Sequence, residues 1–115
     1  MAAGDRADPG SVFGTPLRDD ILTALALKRE SHASELARVL AVSVPGVWKA
    51  VRQLERDGLV AAVSHGRTRV LRLNPRWYAK NELRALLDRM AEGKPQLRER
   101  LGAIRGRPRR SGKPL

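Results

Sequence analysis

Residues 34–60 read Ser-Glu-Leu-Ala-Arg-Val-Leu-Ala-Val-Ser-Val-Pro-Gly-Val-Trp-Lys-Ala-Val-Arg-Gln-Leu-Glu-Arg-Asp-Gly-Leu-Val, and the chain continues through His65-Gly66-Arg67-Thr68-Arg69 to Leu73. Two apolar stripes at helical spacing lie within this stretch. Leu36, Ala37 and Leu40 share one face of a helix that Ser34 can cap, and Val47, Val51 and Leu54 share one face of a helix that Ser43 can cap. Ala41 to Val44 form the turn between them. Pro45 falls in the first turn of the second helix, where no backbone donor is needed. Gly58 suits the left-handed position after its end. Two short strands follow, Leu59 to Ser64 and Thr68 to Leu73. In the second, Leu71 and Leu73 alternate with Val70 and Arg72. Gly66 supplies the positive φ of a tight connection.

Working outward, Thr15-Pro16 starts an earlier helix that carries Leu17, Ile21, Leu22 and Leu25 to about Lys28. Asp19 and Asp20 suit the positive end of its dipole. Asn74-Pro75 ends the hairpin, and residues 78–92 form a further helix with Leu83, Leu86, Leu87 and Met90 on one face. The expected fold class is α+β, mainly α: a helix-turn-helix with a two- to three-stranded β-wing and a C-terminal helix. Residues 1–14 read as a disordered leader, 15–92 as the folded domain, and 93–115 as a basic, mostly disordered tail. Leu97, Leu101 and Ile104 allow one short amphipathic turn within that tail.

The chain has 115 residues and a formal net charge of +11, which favours a polyanionic partner. The excess is unevenly placed. Leu59 to Lys80 holds no acid but carries Arg67, Arg69, Arg72, Arg76 and Lys80. Aromatics are 3% of the chain, too few for a stacking platform for single strands. With no Cys and only His32 and His65, the sequence offers no metal-ligand cluster, and no metal or cofactor is expected. Paired carboxylates with an apolar pocket, a nucleophile with its base, and a Gly-rich phosphate loop are all missing, so an enzyme is not expected. No apolar run reaches the ~18 residues of a membrane span. A cytoplasmic protein associated with the nucleoid is expected.

A helix-turn-helix of this layout places its second helix in the major groove of double-stranded DNA and its hairpin on the flanking backbone. Here those elements are residues 45–57 and 64–69. The outward residues of the helix are Ser43, Val44, Pro45, Gly46, Trp48, Lys49 and Arg52, with Gln53 at the edge of that face. Lys49 and Arg52 lie three apart and can donate to guanine O6 and N7 or to phosphate. Trp48 has two readings of equal weight, against a thymine methyl or sugar, or flat against the first helix. On the hairpin, Arg67 and Arg69 are the expected contacts to phosphate or minor groove, and Thr68 and Ser64 add neutral hydrogen bonds. His65 is a turn residue beside them, and His32 a loop residue.

Ile21-Leu22 with Leu25, Ser34-Glu35-Leu36-Ala37, Leu40-Ala41-Val42-Ser43, Val47 with Leu54, and Gly58-Leu59-Val60 resemble bacterial winged-helix transcriptional regulators of the ArsR-like type. Gly66-Arg67 with Leu71-Arg72-Leu73-Asn74-Pro75 resembles their wing. The likeness spans about Leu17 to Met90. Val47-Trp48-Lys49-Ala50-Val51 with Leu54 and Gly58 is also similar to the DNA-binding domain of biotin-operon repressors. The resemblance implies a DNA-binding regulator, and repression is expected before activation on steric grounds, because no activation surface is evident. The resemblance also implies a homodimer, here formed through Leu83, Leu86, Leu87, Met90 and the first helix. The alternative is a winged helix that serves as a protein-interaction or enzyme-regulatory module without specific DNA binding.

Overall fold

The computed structural model describes residues 10–112, with side chains to Ile104. Five helices and one hairpin follow in the order α1 (Pro16–Lys28), α2 (Ala33–Leu40), α3 (Val44–Arg56), β1 (Val60–His65), β2 (Thr68–Leu73), α4 (Lys80–Glu92) and α5 (Pro95–Gly112). The α1 helix is the hub: α2, α3, α4, α5 and β2 all pack on it. Its Ile21, Leu22 and Leu25 are fully buried, and Leu36, Val47, Val51, Leu54 and Leu71 close over them. The expected wing of two to three strands has two, paired antiparallel from Val60↔Leu73 to His65↔Thr68. A single bridge between Ser31 and Leu71 fastens it to the loop after α1.

Local chemistry sets the helix ends. Thr15 caps α1 by accepting from the Arg18 N–H, and Ser43 caps α3 by accepting from the Gly46 N–H at 3.1 Å. Gly58 then adopts φ 84, and a side chain there would meet the Trp77 ring. The α2 cap differs from the sequence expectation. Ser34 lies inside α2, and His32 is the capping residue, its Nδ1 accepting from the Glu35 N–H at 3.3 Å. An imidazole nitrogen has the reach and lone pair of a capping oxygen, so His32 is a structural terminus and not a plain loop residue.

Two expected boundaries are corrected. The leader was expected to run loose to residue 14, but residues 10–14 fold against α1. Asp19 is buried there, accepting from the backbone N–H groups of Val12 at 3.0 Å and Phe13 at 2.8 Å. Residues 1–9 of that leader lie outside the described residues. The tail from residue 93 is likewise no loose segment over its first part. It continues as α5, whose Leu97 and Leu101 enter the core. The Arg100 guanidinium donates to the Val39 carbonyl at 3.0 Å, and Lys94 pairs with Asp20 at 2.8 Å. Leu97, Leu101 and Ile104 at helical spacing pack on the core, a gain that Pro and Gly content alone does not reveal.

Glu35 ties three elements together at the start of α2. It accepts from Lys28 Nζ at 2.7 Å and from Ser31 Oγ at 2.6 Å, and its side chain is nearly covered. Burial pushes its carboxyl pKa up, but the bonds from Lys28 and Ser31 and the charges of Lys28 and His32 outweigh that, so the net shift is downward. A lowered folded-state pKa makes the stabilisation complete above the ordinary glutamate value, about 4.3, and loses it as pH falls through the folded value. Glu35→Gln should therefore cost about 1–2 kcal/mol near neutrality. In urea titrations the gap from the parent protein should narrow as pH falls through the lowered folded-state pKa. A gap that does not change with pH would mean that the carboxylate charge contributes nothing.

Candidate nucleic-acid interface

Burial of Val47, Val51 and Leu54 fixes the rotation of α3 about its own axis. Ser43, Val44, Pro45, Lys49 and Arg52 are thereby left exposed, with Gly46 and Gln53 partly covered. Among the described residues, neither Lys49 nor Arg52 forms an ion pair. The outward face of α3 thus presents free donors at Lys49 and Arg52, beyond a first turn that Gly46 keeps slim.

Of the two readings of Trp48, the structure bears on the one against the core. Its ring is half-buried against the core, and its outer face carries the Arg69 guanidinium, 5.0 Å from the ring centroid. The same guanidinium reaches Glu55 at 3.8 Å. Arg69 therefore lies back on α3, although the sequence grouped it with Arg67 at the hairpin tip. Strand alternation explains this: Arg69 shares its face of β2 with Leu71, which is fully buried, and Leu73. That signal was available in the sequence.

The tip itself is Gly66-Arg67. His65 pairs with Thr68, Gly66 has φ 66, and Arg67 does not share the positive φ, the pattern of a two-residue turn with glycine first. His65, Arg67 and Thr68 are all exposed there. The acid-free run from Leu59 to Lys80 does not form one cationic surface. Arg72 turns to Glu30 at 3.9 Å with its Nε buried, while Arg76 and Lys80 follow the far end of the hairpin from the tip. Asn74 anchors that far end, donating to the Gly58 carbonyl at 2.8 Å.

The family model for winged helix-turn-helix DNA-binding proteins matches residues 18–61, from α1 into β1. Over that stretch the chain has the winged helix-turn-helix fold. Solved structures share the fold. The adhesin competence repressor AdcR from Streptococcus pyogenes superposes with a TM-score of 0.58 at 19% identity, covering 76% of this chain and 64% of that one. A variant of ZitR from Lactococcus lactis gives 0.59 at 19% identity over 89% of this chain and 68% of that one. A second ZitR variant, solved in complex with DNA, gives 0.55 at 20% identity over 84% and 66%. The winged helix thus spans about two thirds of the length of these structures. A search of curated proteins found no match.

The other predicted surface divides. Leu83 and Leu87 are buried within this chain, packed in the core beneath α1, and so are closed to a second copy. Met90 is half-covered, and Leu86 remains exposed at 41%. Four apolar residues on α4 are thus mostly internal cover, because α1 offers a face wide enough to take two of them. Among the described residues, no three His, Asp or Glu side chains gather around one point, and no helix is long and apolar enough to cross a membrane.

Proposed function

We propose that this winged-helix protein is a cytoplasmic transcriptional regulator, and that it represses by occupying its operator. The α3 helix enters the major groove through Ser43, Val44, Pro45, Gly46, Lys49, Arg52 and Gln53, and Arg67 with Thr68 and His65 meets the backbone beside it. One observation carries this reading: Lys49 and Arg52 stand exposed and unpaired within the described residues, on the outward face of the middle of α3, with the wing fastened alongside through Trp48. Donors at that position match guanine O6 and N7. A homodimer would set two such helices about 34 Å apart on a pseudo-palindrome. Leu86 and Met90 are its contact, since α1 is covered by the other elements of the same chain.

A gel shift with random duplex DNA at rising salt tests the proposal. Affinity should fall linearly on a log-log plot, by roughly 0.9 of a decade per decade of salt for each phosphate neutralised. Light scattering on the same samples should return twice the chain mass of 12.7 kDa. No binding at low salt would leave the protein-interaction reading in its place, and a monomer at micromolar concentration would remove the dimer.

A further inference from the structure

We infer that Arg69 is a positioning residue of the DNA-binding surface: it locks the wing to α3 through Trp48 and Glu55, and Arg67 alone supplies the charge of the wing tip. The inference rests on the DNA-binding reading and assigns different work to two arginines that the sequence makes look equivalent. Their places in the hairpin differ. Arg67 occupies the two-residue turn, held out by Gly66, and makes no ion pair among the described residues. Arg69 is a strand residue paired with Ser64, on the face that Leu71 buries.

The contacts of Arg69 form a closed set. Its guanidinium lies over the Trp48 ring and reaches Glu55, and Trp48 and Glu55 are seven residues apart, two turns along one face of α3. The Trp48 ring is itself packed on the core, so it offers a fixed plane. Val70 belongs to the opposite face of the strand from Leu71 and Arg69. Arg69, two residues nearer the tip than Leu71, adds a link to α3 beyond the packing of β1 on that helix. Moving it to a phosphate would leave Glu55 unpaired beside the DNA and uncover the outer face of Trp48. With the latch closed, the distance from α3 to the tip is set before DNA arrives, so less ordering is needed on binding.

The variants Arg67→Ala, Arg69→Met, Trp48→Leu and the Arg69→Met/Trp48→Leu double test this in the full chain. In the free protein, amide exchange across residues 64–69 should speed up about 2- to 5-fold in Arg69→Met, the worth of an exposed cation–π contact. It should speed up similarly in Trp48→Leu, and no further in the double. Arg67→Ala should leave exchange unchanged. On random duplex, Arg67→Ala should lower the salt slope by about one unit, whereas Arg69→Met should weaken binding with the slope intact. Equal loss of slope in both arginine variants, or unchanged exchange in Arg69→Met, would overturn the assignment. If the parent protein binds no DNA, the DNA-binding reading fails, and the exchange measurements still decide whether the latch exists.

Discussion

Replacing Lys49 and Arg52 together with alanine should erase most of the protein's preference for its selected site, while binding to random duplex falls far less. A side chain that reads a base edge discriminates by about 1–3 kcal/mol, so the pair is worth on the order of a hundredfold or more in site preference. The expectation follows from how α3 is held. Val47, Val51 and Leu54 are buried, which leaves the helix no freedom to rotate these two cations away. Ser43 holds the first turn, and Pro45 fixes its dihedral. Glu55 lies three residues from Arg52 and would be its natural partner on a bare helix. Arg69 engages Glu55 instead, which leaves Arg52 free. Sites selected from random DNA by the parent protein provide the specific duplex, and competition against unselected duplex provides the reference. Equal losses on both would show that Lys49 and Arg52 meet only phosphate.

The sequence carried the helix-turn-helix almost complete, because its signals are local. A capping Ser43, a proline after it and a positive-φ Gly58 mark the ends of α3 within one or two residues, and the Val47, Val51, Leu54 stripe marks its inner face. What it hid depended on contacts distant in the chain. Asp19 was read as a helix-dipole charge, yet its two bonds go to the backbone of Val12 and Phe13. Arg69 and Arg72 lay in an acid-free run, and their acids, Glu55 and Glu30, come from other elements. Leu83 and Leu87 were excess apolar surface only until α1 was in place. His32 caps α2, and residue type alone does not mark it because an imidazole ring is seldom a capping group. In each case the residue type was legible, but its partner was set by packing. The face of Arg69 on β2 is the exception, since counting by twos from Leu71 would have found it.

Leu101→Ala should lower stability by about 2–4 kcal/mol, the range for truncating a buried leucine in a core that cannot collapse around the gap. In a domain of this size that lowers the thermal midpoint by about 10–20 °C. The effect is large for a position so near the charged end of the chain. Leu101 is 1% exposed and Leu97 7%, one turn apart on α5, with Ile104 half-buried on the same face. That face lies on α1, α2 and α4 together, so no single neighbouring helix can shift to fill the space. The Arg100 bond to the Val39 carbonyl and the Lys94–Asp20 pair hold α5 at two further points, which limits relaxation. Arg98→Ala, on the exposed side of the same helix, should change stability by no more than about 0.5 kcal/mol. Urea unfolding of the two variants distinguishes a packed α5 from a basic tail that merely follows the domain: in the second case Leu101→Ala would be as silent as Arg98→Ala. If Leu101→Ala does unfold the protein more easily, α5 belongs to the scaffold that holds α1, and through α1 it fixes the placement of α3.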